Sequence, residues 1–162
     1  MGLFDRFKKQ ETLPAFSDED IVSPVKGHRI PTAEIADSVF AEEMMGQTIG
    51  IVPADGVFAC PVNGTVEVAF PTGHAYAVRA KNGVCYLVHI GIDTVSLDGK
   101  GFKSFLKQGQ KVSAGQKAVE ADLSLIKSAG YDTTTMLIVS EPEDHRVAYT
   151  EFTDVERAQK IN

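Results

Sequence analysis

From Ile21 onward the chain is cut into short apolar runs by Gly, Pro and Asn-Gly turns, a rhythm that leaves room for strands but not for long helices. Ile21-Val22 precedes Ser23-Pro24, and residues 48–52 precede Pro53-Ala54-Asp55-Gly56. Val57-Phe58-Ala59 precedes Cys60-Pro61-Val62-Asn63-Gly64, whose Asn-Gly is a strong hairpin signal. Residues 65–70 alternate apolar and polar, as a half-buried strand does. Residues 110–112, 117–121, 133–140 and 146–152 continue the series. Helical patterns are confined to 37–45 and 123–129, with a turn over 102–106, and their lengths suit caps on a sheet. The expectation is an all-β fold, an antiparallel sandwich or barrel with short peripheral helices.

At 162 residues the chain suits one domain with a sizeable core, expected over 21–162. Residues 1–20 are expected to form a flexible tail. Its opening, MGLFDRFKK, places Leu3, Phe4 and Phe7 on one helical face with Arg6, Lys8 and Lys9 around them, a weak membrane-surface pattern. Gly2 makes no myristoylation signal, because Arg6 stands where Ser or Thr is needed. Residues 10–20 read as a polar linker. The net charge of −6 argues against nucleic acid as a partner, since phosphate backbones need a basic face. Cys60 and Cys85 have no Cys-x-x-Cys spacing and read as buried free thiols. No run reaches the ~20 apolar residues of a membrane span, and no secretory signal is expected.

The chemistry concentrates at Gly83-Val84-Cys85-Tyr86-Leu87-Val88-His89-Ile90-Gly91-Ile92-Asp93. Residues 84–88 read as a fully buried strand that delivers an imidazole to the rim of a sheet. The glycine after it permits close backbone approach. His74 lies 89 − 74 = 15 residues earlier, the right separation for adjacent antiparallel strands turning at Lys81-Asn82-Gly83. Two facing imidazoles repel when both are protonated, so such a pair points to binding or catalysis. His28 and His145 sit in polar surroundings and read as surface residues. A zinc site normally takes three or four protein ligands, and Asp93 is the only carboxylate close by in sequence. General acid–base catalysis would need a substrate pocket that the sequence does not reveal. Nucleophilic phosphoryl transfer needs little more than a neutral imidazole and a few donors.

The glycine-turn, short-strand rhythm of 63–66 and 108–116 resembles that of biotinyl and lipoyl carrier domains, without their lysine hairpin. The string Val88-His89-Ile90-Gly91-Ile92-Asp93-Thr94-Val95, followed by Leu97-Asp98-Gly99-Lys100-Gly101-Phe102, resembles the active-site signature of the glucose-type IIA proteins of the bacterial phosphoenolpyruvate-dependent sugar phosphotransferase system. The likeness extends to Val39-Phe40-Ala41-Glu42, to Thr72-Gly73-His74-Ala75 and to the opening Met1-Gly2-Leu3-Phe4-Asp5. It implies a barrel-sandwich hybrid fold and a phosphocarrier. His89 would accept the phosphoryl group through Nε2, with the Gly91 carbonyl holding Nδ1–H. His74, oriented by Thr72, would hydrogen-bond the phosphoryl group, and Asp93 would stand at the rim. Val39, Phe40, Met44, Met45, Phe70 and Leu87 match the family's apolar docking surround.

The implied donor is phospho-HPr, and the implied acceptor is the cysteine of a IIB domain in a IIB/IIC sugar permease. Regulatory binding of permeases or metabolic enzymes in the dephosphorylated state is a further implication. No cofactor is required, although His74 and His89 would share a transient zinc ion with a partner's carboxylate. The implied location is the cytoplasm, at the inner face of the plasma membrane. Gly73 and Pro71 depart from the family's usual residues before the first histidine, and Met44-Met45 replaces β-branched residues. Two other readings stand beside this one: a zinc-dependent hydrolase of hybrid-motif architecture and a non-catalytic regulatory binding module.

Overall fold

A computed structural model describes residues 15–162. The amphipathic pattern at Leu3, Phe4 and Phe7 lies outside the described residues. Among the described residues eleven strands run in chain order: β1 (Gly27–Ile30), β2 (Thr48–Pro53), β3 (Val57–Ala59), β4 (Gly64–Ala69), β5 (Ala75–Ala80), β6 (Cys85–Ile90), β7 (Phe102–Ser104), β8 (Lys111–Val112), β9 (Lys117–Ala121), β10 (Thr135–Glu141) and β11 (Asp154–Val155). The helices among the described residues are α1 (Ser38–Ala41) and α2 (Leu123–Ser128), with 3-10 turns at Thr32–Glu34 and Thr94–Leu97. An eight-stranded sheet, ordered β11-β1-β2-β10-β6-β5-β4-β8, faces a three-stranded sheet ordered β3-β9-β7. Every named pairing is antiparallel, so the expected antiparallel β-sandwich holds.

Side-chain alternation divides the central strands between two cores. Tyr76 and Val78 of β5, Tyr86, Val88 and Ile90 of β6, and Leu137 and Val139 of β10 enter the main core between the sheets. The intervening Ala75, Ala77, Cys85, Leu87, Met136 and Ile138 belong to a second cluster with Ile35 and Phe40. A strand buried on both faces reads as a continuous apolar run, which is why 84–88 carried no alternation. His89 shares the parity of Cys85 and Leu87 and therefore the face of this second cluster. The segment from Ile35 to Phe40 covers part of that face and stops short of covering His89, which stays half-buried.

Three local expectations are corrected. Residues 146–152 form no strand; the Gln47 side-chain amide pins Val147 through both its N–H (2.6 Å) and its carbonyl (2.9 Å), taking the place of a sheet neighbour. Residues 102–104 are a strand, because Phe102, Lys103 and Ser104 pair with Ala121, Glu120 and Val119. The helix expected over 37–45 is confined to Ser38–Ala41 and gives way to turns through Met45. The Asp37 carboxylate caps its first turn by accepting from Val39 N–H at 2.8 Å. Ahead of Ile21, Asn63 Nδ2 donates to the Phe16 carbonyl at 2.8 Å, so ordered contacts with the sandwich begin before residue 21.

Candidate functional site

Two hairpins bring the histidines together. In the β5–β6 pairing Ala75 stands opposite His89, so His74, the residue before Ala75, lies beside it. The imidazole centroids are 5.1 Å apart and nearly perpendicular, at 81°. The β4–β5 connection is a turn closed by Gly73 N–H donating to Phe70 C=O at 2.8 Å. Pro71 and Gly73 take its second and fourth positions, where type I turns favour those residues. Gly73 has φ +75°, and a Cβ there would stand 2.9 Å from Cβ of Phe102. A side chain at this position would thus meet β7 as well as backbone strain.

The ring of each histidine is fixed by one hydrogen bond. His89 Nδ1 lies 2.8 Å from the carbonyl oxygen of Gly91. A carbonyl only accepts, so Nδ1 carries the proton, and in the neutral ring the lone pair is on Nε2. The Gly91 carbonyl is itself held firmly. Gly91 N–H donates to Thr134 C=O at 3.1 Å, Ile92 N–H to Asp132 C=O at 3.0 Å, and the buried Thr94 hydroxyl to Ile90 C=O at 2.5 Å. His74 Nδ1 pairs with the Thr72 hydroxyl at 2.5 Å. When that hydroxyl donates, His74 presents Nε2–H as a donor.

Burial sets the charge state. His74 is only 4% exposed, and desolvation, reinforced by the neighbouring His89, pushes its pKa down to about 4. Desolvation also lowers the pKa of His89, against the opposing pull of the Gly91 carbonyl and of the Asp37 and Asp93 carboxylates. Both rings are therefore neutral at pH 7. Asp93 is exposed, adopts φ +60°, and caps the following turn with no side-chain hydrogen bond. Asp37 was not recognised from the sequence as a site residue. Its one local signal is the pattern of a capping Asp before an apolar turn.

The rim is apolar and aromatic. Phe40 packs tilted against His89 at 5.1 Å, and Phe70 meets His74 edge-on at 5.3 Å. Val39, Met44, Met45 and Phe70 are exposed, whereas Phe40 and Leu87 are buried and support the rim from beneath. Val95, two residues after Asp93, is also exposed; it belongs to the signature string but was not placed in the rim from the sequence. A shallow groove of about 370 Å³ is lined by Met44, Met45, Phe70 and Leu87, with Glu67, Glu141 and Glu143 along its edge. Neither histidine lines this groove, which meets the pair through Phe70 packed on His74, and clefts of about 590 and 620 Å³, lined by Arg29 and Tyr149 and by Asn63 and Arg79, lack such a link. An open apolar face beside a neutral imidazole suits a protein partner better than an enclosed small molecule.

His28 is hydrogen-bonded to Asp154 at 3.0 Å and takes no part in this site. Among the described residues, no group of three or more His, Cys, Asp or Glu side chains is placed to hold a metal ion. Among the described residues, no helix is long and apolar enough to cross a membrane.

Comparisons with known proteins converge on one family. Residues 19–145 match the family model described as phosphoenolpyruvate-dependent sugar phosphotransferase system, EIIA 1. The chain is 41% identical over 145 residues to the PTS system glucose-specific EIICBA component of Staphylococcus saprophyticus. That match covers 90% of this chain but only 21% of the relative, so the chain spans about a fifth of its length. Among solved structures, glucose permease IIA from Mycoplasma capricolum superposes with a TM-score of 0.79 at 36% identity, covering 88% of this chain and 92% of that one.

Proposed function

From a chain that belongs to the EIIA 1 family of the phosphoenolpyruvate-dependent sugar phosphotransferase system, we infer a phosphocarrier that takes a phosphoryl group on His89 and passes it on toward a sugar. The observation that carries the assignment to His89 is its Nδ1–H bond to the Gly91 carbonyl, which leaves Nε2 free to attack. The donor is the phosphohistidine of HPr. The Nε2 lone pair forms the new N–P bond while the donor's N–P bond breaks and its electron pair returns to the donor imidazole. As His89 becomes cationic in that step, its bond to the carbonyl strengthens, because a charged donor binds roughly twice as strongly as a neutral one. His74, neutral and anchored by Thr72, donates to the phosphoryl oxygens without adding a charge that would hold the group back. Transfer is then a matter of positioning and electrostatics.

The acceptor is the cysteine of a IIB domain in a IIB/IIC permease, which also selects the sugar. Residues 21–162 form the phosphocarrier domain, and the work is done in the cytoplasm at the inner face of the plasma membrane. Phosphorylation adds roughly −1.5 to −2 charges inside the apolar rim, so permeases or metabolic enzymes that dock on the dephosphorylated form are released. No cofactor is required. Two imidazoles, with no third ligand beside them among the described residues, suit a zinc ion only when a partner's carboxylate completes the shell. The hydrolase reading has no support, because such a site would need that third ligand within the chain.

The test is to incubate the protein with phosphoenolpyruvate, the first enzyme of the system and HPr, and to measure acid-labile phosphate. His89→Gln abolishes labelling. His74→Gln still labels but does not pass the phosphate to a IIB domain. Labelling retained in His89→Gln would overturn the assignment.

A further inference from the structure

The docking groove is lined by sulfur. Of the chain's methionines, Met44 is 66% exposed and Met45 38% exposed, and both line the groove with Phe70 and Leu87. Met136, which stands opposite His89 in the β6–β10 register, is fully buried. Cys85 also lines the groove but from beneath, only 2% exposed, and Cys60 is buried elsewhere in the core; desolvation pushes the Cys60 thiol up to about 12 and raises Cys85 as well. Peroxide reacts with thiolates, which burial suppresses here, and with thioethers, which need no ionisation.

We propose that Met44 and Met45 form an oxidation site at which a peroxide-class oxidant shuts down docking on the histidine face. In the reaction a thioether lone pair attacks one peroxide oxygen and the O–O bond breaks. The displaced oxygen leaves as hydroxide, takes the proton of the attacked oxygen and departs as water, and sulfur, oxidised by two electrons, becomes a sulfoxide. The product is polar and chiral where the groove was apolar and adaptable. A sulfoxide buried against an apolar partner surface leaves its oxygen without a donor, which opposes association. The site is reversible, because methionine sulfoxide reductases restore the thioether.

The proposal rests on the reading of this face as the partner-docking surface, and the experiment separates the two. Hydrogen peroxide is titrated onto the full chain, and the modified methionines are mapped by peptide mass. Phosphoryl acceptance from phospho-HPr is measured before and after. The expected result is oxygen added at Met44 and then Met45 at doses that spare Met136, with kcat/KM for acceptance falling about tenfold. Reduction by methionine sulfoxide reductases A and B restores the rate. In Met44→Leu/Met45→Leu, the ratio of treated to untreated rate stays near one. An unchanged rate with Met44 fully oxidised overturns the proposal, as does an equal loss in the double variant. Oxidation of Met136 in step with Met44 overturns it too. If the untreated chain accepts no phosphate, the functional reading itself fails, and the docking switch falls with it.

Discussion

His89 donates from Nδ1 to the carbonyl oxygen of Gly91 at 2.8 Å, and this contact between residues two apart decides which ring nitrogen can act. The same tautomer would be lost if the carbonyl turned away. The loop after β6 prevents that turn, since Gly91 and Ile92 are both hydrogen-bonded to the segment leading into β10. An imidazole on a central strand is thus oriented by a short loop that two chain segments, the one leading into β10 and the turn at Thr94, hold in place.

Gly91→Ala tests that hold. At φ +79° a Cβ would lie 2.5 Å from Cγ2 of Thr94 and 2.9 Å from the Asp132 carbonyl. Both neighbours are themselves packed, so the loop has to move. The expected outcome is a loss of about 1–3 kcal/mol in urea unfolding, together with reduced labelling at pH 7. Full stability with full labelling would show that the carbonyl tolerates displacement.

The histidine pair makes stability depend on pH in a defined direction. Folded His74 takes its proton only near pH 4, against an ordinary histidine value of 6.5. Between those values the unfolded chain binds more protons, so stability falls as pH drops from about 6.5 toward 4. His89, also lowered, acts with the same sign. Urea midpoints between pH 7 and pH 4.5 should therefore drop further in the wild type than in His74→Gln; equal drops would contradict the burial argument. Because His89 is also lowered, more than half of its rings are neutral at pH 6.5, so labelling there should exceed half its value at pH 8.

Much of this arrangement was legible because it is written in local patterns. The continuous apolar run before His89 marked a strand buried on both faces, and the Lys81-Asn82-Gly83 turn fixed the partner strand that carries His74 alongside. What stayed hidden depends on contacts far apart in sequence. Gln47 replaces a strand neighbour for Val147 across 100 residues, and β7 exists only because β9 lies beside it. Asp37 reaches the charge balance of His89 through packing of the segment before β2, which no spacing rule announces. Phe40 and Leu87 matched a surface pattern yet are buried, because exposure on the covered outer face of the sheet depends on where α1 ends.

Thr72→Val removes the partner of His74 Nδ1 at nearly constant volume. The bond is 2.5 Å long and part-buried, and its loss costs about 1 kcal/mol of positioning. Acceptance of phosphate on His89 should change little, while onward transfer to a IIB domain slows roughly fivefold to tenfold. Thr72→Ser, which keeps the hydroxyl, should recover most of the rate. Equal slowing of both steps would place Thr72 in the support of His89 instead.

Tyr76→Phe separates stability from chemistry. Tyr76 is fully buried in β5 of the larger sheet, and its hydroxyl donates to the carbonyl of Ala59, the last residue of β3 in the smaller sheet, at 2.6 Å. That bond ties the two layers of the sandwich across the main core. Phenylalanine keeps the ring packing and leaves a buried carbonyl without this donor, at a cost of about 1–3 kcal/mol. A domain of this size then melts lower by roughly 2–4 °C for each kcal/mol lost. The histidine pair draws its geometry from the β5–β6 register and the Gly91 loop, neither of which uses the phenol. Labelling at 25 °C should therefore match the wild type even as the melting temperature falls. A drop in labelling below the unfolding range would mean that the spacing between the layers reaches the histidines through β5.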